Sequence, residues 1–438
     1  MRIAFVASEA VPFAKTGGLA DVVGALAAQM AARGHEVRLY VPAYPCALRA
    51  AGETEPGPEL AVPIGASPAR GRFLRSRVGG VEARLLECPA YFGRPGLYQE
   101  AGRDYPDNAE RFAFFCRAVL EDCRAPGAAP DVFHCHDWQT GLVPALLAAG
   151  RDGALAGSSS VFTIHNLAYQ GNFPAAAFAV TGLPAAAFSP AGLEYHGNVG
   201  YLKAGLVYAD GLSTVSPEYA REIQTEELGM GMDGVLRGRA GSLRGILNGL
   251  DVDAWDPARD AALLRRYGPR DWEEGKKACK RELQGECALE QNVGELLIGA
   301  VARLDPQKGL DLGLQVLPEA LARGAQFVLV GQGRPDLERA FEDFAHANPR
   351  NVHFHTGFDD GFARRVYAAA DLFLMPSRFE PCGLGQLIAM RYGALPLATR
   401  TGGLADTVRE RASAAGPANG FLGERAVPAP LAAALARA

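Results

Sequence analysis

Residues 297–330 carry the pattern that decides the fold: LIGAVARLDPQKGLDLGLQVLPEALARGAQFVLV. An apolar, strand-like run (Leu297–Val301) leads through a polar loop into an amphipathic, helix-like segment (Leu310–Ala322), and a second apolar run (Phe327–Val330) follows. Strands that are separated by a helix of this length pair in parallel, because the helix carries the chain back to its starting edge. The stretch therefore predicts one β-α-β unit of a parallel sheet.

The same alternation continues on both sides of this unit. Strands are predicted at residues 3–7, 37–41, 83–87, 132–134, 161–164, 212–215, 353–355, 372–375 and 395–398. Helices are predicted at residues 19–32, 109–123, 140–149, 335–346, 362–369, 384–392 and 404–410. Two such blocks predict an α/β protein with two doubly wound parallel sheets, in domains 1–244 and 245–438. The Gly-, Pro- and Ala-rich stretch 50–70 is expected to be a surface loop, and the charged segment 268–295 a helix on the second domain.

Composition excludes several classes of protein. The 438 residues are 48% hydrophobic and 21% charged, as in soluble globular proteins. The net charge of −5 and the lack of a basic tract argue against a nucleic-acid or membrane partner. Glu9 interrupts the apolar start, which favours a first strand over an export signal. The eight cysteines form no CxxC pair, so we expect reduced thiols and a cytoplasmic protein; the oligomeric state is not predicted.

One phrase occurs twice. KTGGLAD at residues 15–21 returns as RTGGLAD at residues 400–406, each time as a cation, two glycines and the start of a predicted helix. Bare N–H groups at a helix start suit an anionic group, although two glycines also simply permit a tight turn. Neither copy has the GxGxxG spacing, so a dinucleotide site is not supported.

Charged residues follow two predicted strands of the second half. Arg303 and Lys308 lie after the first of these strands, where ligands bind in open α/β sheets, and suit a departing diphosphate. Glu380 follows the strand at 372–375 and suits sugar hydroxyls, while the N–H groups of residues 383–385 suit a phosphate. The alternatives are a solvated loop for the two cations and a helix cap for Glu380.

Histidines end two strands of the first half. His165 follows the strand at 161–164, and His134 and His136 flank Cys135 just before Asp137. The alternating pair suggests a metal site but lacks further ligands at suitable spacing, so polar strand ends are favoured. The DxD-like sequence at residues 251–253 is expected to be a turn.

Taken together, eight motifs resemble those of the bacterial glycogen synthases (starch synthases), in the same order and over almost the whole chain. They are SEAVPFAKTGGLADVVGAL, HDWQTGLVP, TIHNLAYQG, TVSPEYAREIQT, GILNGLDVDAWDP, ARLDPQKGLDL, PSRFEPCGL and RYGALPLATRTGGLADTV. The resemblance implies two Rossmann-like domains facing a deep cleft, the GT-B glycosyltransferase fold. It further implies that residues 1–244 form the starch-synthase catalytic domain on the acceptor side and that residues 245–438 bind the nucleotide sugar.

The resemblance also implies an activity and a set of site residues. The activity is retaining transfer of glucose from ADP-glucose to the non-reducing 4-OH of an α-1,4-glucan, with no metal or other cofactor. The implied catalytic residues are Lys15, His165, Arg303, Lys308 and Glu380. The implied substrate-binding residues are Lys15, Gly17, Gly18, Asp21, Asp137, Asn248, Phe358, Cys382, Gly383, Leu384 and Gly385.

Three features depart from the family pattern. Gly385 replaces a usual threonine, Phe358 replaces a usual tyrosine while keeping a ring that stacks on adenine, and the chain ends at Ala438 before the family's usual closing segment. Two other functions remain open at this point. One is a transferase for another donor such as a UDP-sugar, and the other is a non-catalytic protein that binds glucan or nucleotide.

Overall fold

Two units, each built on a mainly parallel sheet, make up the chain: residues 1–215 with 220–246, and residues 216–219 with 247–438. The computed structural model describes residues 1–65, 67–150, 153–411 and 416–438. The chain passes between the units at residues 246 and 247, two residues beyond the predicted division. Nothing in the sequence pattern indicated that residues 216–219 belong with the second unit.

The first unit holds a sheet that contains, among the described residues, nine strands in the order β14-β13-β9-β8-β1-β2-β5-β4-β3. Pairing is parallel from β14 to β5 and antiparallel at β5-β4-β3. The strands of this unit are β1 Arg2–Val6, β2 Glu36–Pro42, β3 Glu55–Ile64, β4 Ser67–Val78, β5 Val81–Glu87, β6 Gln99–Glu100, β7 Arg103–Asp104, β8 Val132–His136, β9 Ser159–Ile164, β10 Asn172–Pro174, β11 Glu194–Tyr195, β12 Asn198–Gly200, β13 Gly211–Thr214 and β14 Leu243–Gly245.

Helices run between these strands along the chain, and the first three residues of α8 belong to the second unit. They are α1 Gly18–Ala32, α2 Pro45–Ala51, α3 Pro89–Phe92, α4 Asn108–Cys123, α5 Leu142–Ala149, α6 Phe178–Thr181, α7 Tyr201–Tyr208, α8 Pro217–Glu222 and α9 Asp233–Gly238. Helix α4 is buried over most of its length, with Phe112, Phe114 and Phe115 wholly inside the core. Burial of such large apolar side chains is the main stabilising contribution to this unit.

The expected surface loop at residues 50–70 is wrong. This stretch forms β3 and the start of β4, an antiparallel hairpin at the edge of the sheet. Pro56, Pro58 and Pro63 obscured the strand in the sequence, but an edge strand tolerates proline because one side of its backbone needs no ladder partner. Most residues of β3 are exposed, so no apolar run marked it either.

The second unit contains a sheet whose strands, in the described parts of the chain, follow the order β17-β16-β15-β18-β19-β20, all parallel. They are β15 Leu297–Val301, β16 Gln326–Gly331, β17 Val352–Thr356, β18 Leu372–Met375, β19 Leu395–Thr399 and β20 Phe421–Gly423. Numbered from β15, the order is 3-2-1-4-5-6, the Rossmann arrangement, which reverses direction between β15 and β18. Ligands of such sheets bind beyond the carboxyl ends of the two strands at the reversal.

Helices cover both faces of this second sheet. They are α10 Trp272–Glu286, α11 Leu310–Leu321, α12 Pro335–Ala347, α13 Asp360–Ala369, α14 Gly385–Arg391, α15 Gly402–Thr407 and α16 Pro428–Arg437. The predicted helix 404–410 begins two residues earlier and ends at Thr407, where the side chain of Asn419 hydrogen-bonds the Thr407 carbonyl oxygen and the Arg409 amide. The predicted segment 268–295 contains α10, which packs against α13.

Candidate active site

The first unit reverses strand order between β1 and β8, so its ligand-binding edge lies at the carboxyl ends of these two strands. The chain leaving β1 reaches the Lys15–Gly18 loop and then α1. Lys15 Nζ lies 2.8 Å from Asp21 Oδ1, which places both predicted residues at the helix start. Gly17 precedes α1 without a side-chain cap, and a β-carbon added there would meet no described atom within 4 Å. A cation and a helix start without a side-chain cap therefore lie together at this loop, with open space beside Gly17.

A buried carboxylate holds the same loop. Glu9 is 3% exposed and accepts hydrogen bonds from Thr16 Oγ1 at 2.7 Å and from Tyr98 OH at 2.5 Å, as well as from the Thr16 amide. These bonds fix the backbone between Lys15 and Gly17. From the sequence alone, Glu9 argued only against an export signal. An acidic residue inside an apolar strand end was the available signal for this structural role.

Asp137 and His165 meet at the ends of β8 and β9. Asp137 Oδ1 accepts a hydrogen bond from the His165 amide at 2.7 Å, and Asp137 adopts a left-handed φ of 57°. A non-glycine residue in this region is strained, which is typical of functional sites. Burial raises the pKa of Asp137 to about 7, against the lowering effect of the backbone hydrogen bonds.

The histidines form a buried, neutral cluster. His136 Nδ1 lies 3.0 Å from His165 Nε2, and His134 Nε2 lies 2.7 Å from Thr163 Oγ1. Burial lowers the pKa of His134 to about 4, that of His165 to about 3 and that of His136 well below its usual range. Within residues 1–65, 67–150, 153–411 and 416–438, no group of three or more His, Cys, Asp or Glu side chains is arranged to hold a metal ion.

In the second unit, the loops after β15 and β18 bring Lys308 to Glu380. Lys308 Nζ lies 2.7 Å from Glu380 Oε2, and Ser377 Oγ donates to the same oxygen at 3.0 Å. Asp305 caps the short 3₁₀ helix at Pro306–Lys308 by accepting a hydrogen bond from the Lys308 amide at 3.1 Å. Arg303 is half exposed, with a guanidinium nitrogen 3.7 Å from Asp305 Oδ2. The predicted cations and carboxylate thus share the edge of the sheet at which its strand order reverses.

The segment 382–385 links β18 to α14. Cys382 is buried, and burial raises the pKa of its thiol to about 12, while the Asn248 backbone hydrogen-bonds to the sulfur. Gly383 has a left-handed φ of 74°, and Leu384 precedes the first helical residue, Gly385. A β-carbon at Gly385 would lie 3.2 Å from the Phe373 ring, so this position is closely packed.

Phe358 stands apart from this group. It follows β17, the outermost strand on that side, and its side chain is 65% exposed. β17 is parallel to β16 and β15, so Phe358 lies at the same edge of the sheet as the loop with Arg303 and Lys308. An exposed ring at such a position suits stacking against a flat ligand group.

The second copy of the repeated phrase has a structural role. Gly402 has φ 43°, and a β-carbon there would lie 2.0 Å from the Glu380 carbonyl oxygen. Arg400 pairs with Glu424, and Asp406 accepts hydrogen bonds from Ser216 Oγ at 2.6 Å and the Glu218 amide at 2.9 Å. The two glycines permit close packing of this helix start against the segment that carries Glu380 and Cys382.

The DxD-like sequence is a turn, as expected. Asp251 Oδ1 accepts hydrogen bonds from the amides of Asp253 and Ala254, both at 3.0 Å. Asp253 pairs with Arg259 at 2.6 Å. The carboxylate of Asp251 is therefore bonded within the turn, and that of Asp253 to an arginine that follows it in the chain.

Comparisons with known proteins agree with this geometry. Residues 2–238 match the family model of the starch synthase catalytic domain, and residues 295–438 match that of glycosyl transferases group 1. A glycogen synthase of Syntrophotalea carbinolica is 46% identical over all of this chain and 91% of its own length. A glycogen synthase of Anaeromyxobacter sp. is 49% identical over 94% of this chain and 86% of its own length.

A solved structure shows the same architecture. The catalytic domain of starch synthase IV from Arabidopsis thaliana, bound to ADP and acarbose, superimposes with a TM-score of 0.92 and 33% identity over 99% of this chain and 90% of that chain. The predicted α/β class and the GT-B glycosyltransferase fold are therefore confirmed. In the described parts of the chain, no helix combines the length and the apolar character needed to cross a membrane.

Proposed function

Because the chain belongs to the glycogen synthase (starch synthase) family of glycosyltransferases, we propose that it transfers glucose from ADP-glucose to the non-reducing 4-OH of an α-1,4-glucan with retention of configuration. The observation that carries the proposal is the Lys308–Glu380 pair at the strand-order reversal of the second unit. A cation for phosphate and a carboxylate for sugar hydroxyls, side by side, match the two halves of a nucleotide sugar.

Residues of the second unit are assigned to the donor. Arg303 and Lys308 bind the distal phosphates and stabilise the leaving ADP, because their positive charge offsets the charge that develops on the diphosphate. Glu380 accepts hydrogen bonds from glucose hydroxyls. Phe358 stacks on the adenine. The polar lining is completed by Asn248 and by the backbone of Cys382, Gly383, Leu384 and Gly385.

Residues of the first unit are assigned to glucose and the acceptor. Lys15, Gly17 and Gly18 face the diphosphate and glucose, with Asp21 orienting Lys15 through their ion pair. His165 contacts the 6-hydroxyl and the anomeric centre as a neutral donor or acceptor, in keeping with its lowered pKa. Asp137 lies near the acceptor.

The proposed chemistry is front-face attack through an oxocarbenium-like state. The bond between the anomeric carbon and the phosphate oxygen breaks, the acceptor 4-oxygen bonds to that carbon, and its proton passes to the leaving phosphate. A retaining double displacement would instead need two carboxylates about 5 Å apart. The proposed step uses no metal ion, because Arg303 and Lys308 supply the positive charge. Isolation of a glucosyl ester on Asp137 or Glu380 would contradict this route.

We also place this reaction in the cytoplasm. All eight cysteines of the chain are free thiols, as is usual in a reducing compartment. Seven of the eight thiols are buried in the protein interior.

Incubation of the purified protein with glycogen and either ADP-glucose or UDP-glucose tests the proposal. Release of ADP with elongation of the glucan is the expected result. Release of UDP alone would show that the donor is UDP-glucose and not ADP-glucose. Release of neither nucleotide, with glucan or nucleotide still bound, would favour the non-catalytic alternative. Proton NMR of the first products reports the anomeric configuration.

A further inference from the structure

Arg378 forms hydrogen bonds to residues on both sides of Lys308. It follows β18, two residues before Glu380. Its amide donates to the Gln307 carbonyl at 2.8 Å, and Nη1 donates to the Pro306 carbonyl at 2.8 Å. Its two guanidinium nitrogens also bind the two oxygens of Asp311, at 2.8 and 2.7 Å.

These contacts surround Lys308 in the chain. Pro306 and Gln307 precede it, and Asp311 follows it in the first turn of α11. Gly309 adds a close approach between the two loops, since a β-carbon there would lie 2.1 Å from the Pro376 carbonyl oxygen. One arginine therefore binds the backbone before Lys308 and the Asp311 side chain after it, and so connects both to the loop that carries Glu380.

The exposure of the Arg378–Asp311 pair indicates that the pair positions the Lys308 loop rather than stabilises the fold. The two side chains are 39% and 34% exposed, and ion pairs this accessible to water contribute little to the stability of a fold. Their mutual hydrogen bonds raise the pKa of Arg378 and lower that of Asp311, so both stay charged around neutral pH. A bidentate pair of this kind defines an angle as well as a distance.

We infer that Arg378 is a positioning residue that fixes the Lys308 ammonium group at its place beside Glu380. It acts through Lys308 and touches no reacting atom itself. Its effect on turnover rests on the proposed function, whereas its effect on the order of the Lys308 loop does not.

The kinetic test is a cycle of four proteins: wild type, Arg378→Ala, Lys308→Ala and the double variant. Arg378→Ala is expected to lower kcat about tenfold, with a smaller change in KM for ADP-glucose, because leaving-group stabilisation is lost in the transition state. In the Lys308→Ala background the same change is expected to have almost no further effect. Equal losses in both backgrounds would overturn the inference. Arg378→Lys is expected to recover only part of kcat, because lysine lacks the planar fork.

Amide hydrogen exchange of residues 307–311 gives a readout that needs no turnover. We expect faster exchange in Arg378→Ala than in wild type, with a melting temperature within about 3 °C. Arg365→Ala is the matched control, because Arg365 makes a similar bidentate pair with Glu286 at 2.9 and 2.8 Å elsewhere in the same unit. Unchanged exchange in Arg378→Ala would contradict the inference even if the wild type proved inactive with every donor.

Discussion

Lys308 Nζ lies 2.7 Å from Glu380 Oε2, although the two residues are 72 positions apart in the chain. The side chain of Glu380 is only 6% exposed and that of Lys308 20%, so water screens this pair weakly. A buried carboxylate that loses its cation is strongly destabilising, because its desolvation is no longer compensated. The pair therefore links the stability of the second unit to the residues assigned to the donor.

Lys308→Ala is expected to lower turnover by about tenfold or more, because the cation proposed to stabilise the leaving diphosphate is lost. The free energy of unfolding is expected to fall by about 3 kcal/mol, because Glu380 is left buried without its partner. Adding Glu380→Gln is expected to restore much of the stability and none of the turnover. ADP release and denaturant unfolding measure the two quantities.

Lys277→Ala is the control for this prediction, since Lys277 is an exposed lysine on α10 of the same unit. It is expected to leave turnover and stability unchanged. Near-normal turnover in Lys308→Ala would remove Lys308 from the proposed mechanism.

The parallel strands were predictable because buried strands appear in the sequence as apolar runs. Leu297–Val301 and Leu372–Met375 occur in the structure with the predicted bounds. The β3-β4 hairpin was not predictable in this way, because β3 is exposed at the edge and rich in proline. Edge strands carry little of the apolar signal on which such predictions depend.

The site residues were predictable one by one, but their partners were not. Lys308 and Glu380 each follow a strand, yet their pairing depends on β15 and β18 being neighbours, which the order of the chain does not reveal. The Arg378–Asp311 pair was missed for the same reason. The resemblance to a family supplied roles for the residues, and the structure supplied the contacts among them.

Glycine-to-alanine substitutions in the two copies of the repeated phrase are expected to have different effects on stability and on substrate binding. Gly17→Ala is expected to leave stability unchanged, because Gly17 is in extended backbone at φ −161° and the added β-carbon meets open space. It is expected to raise KM for ADP-glucose, because the added methyl group takes up open space beside the loop that is proposed to face the diphosphate. Gly402→Ala is expected to lower the free energy of unfolding by about 2 kcal/mol or more, since its β-carbon would lie 2.0 Å from a carbonyl oxygen.

Thermal unfolding and donor kinetics of the two variants separate these effects. Gly234→Ala is a suitable control, because Gly234 is helical and a β-carbon there meets nothing within 4 Å among the described residues. A Gly17→Ala variant with unchanged KM would show that no ligand approaches this loop closely.

Asp137 makes the stability of the first unit depend on pH. Burial raises its pKa from 3.8 to about 7 in the folded state. Between these values the folded chain holds a proton that the unfolded chain has released, so stability falls as pH rises through the window. A difference of about 3 pH units corresponds to about 4 kcal/mol, which is lost in full above pH 7.

Asp137→Asn removes this titration while keeping a side-chain oxygen that accepts the His165 amide hydrogen bond. The variant is expected to match wild type near pH 4 and to become more stable than wild type by about 4 kcal/mol above pH 7. Urea unfolding followed by Trp138 fluorescence measures this difference, with Trp255 and Trp272 replaced by phenylalanine in both proteins.

His134 and His165 act in the opposite direction, because their lowered pKa values make the fold less stable as the pH drops below 6.5. Both histidines are present in the two proteins, so their contributions cancel in the difference. A difference between the two proteins that stayed constant from pH 4 to 8 would show that Asp137 is ionised in the fold throughout that range, and its strained backbone would then hold a charge rather than a proton at the end of β8.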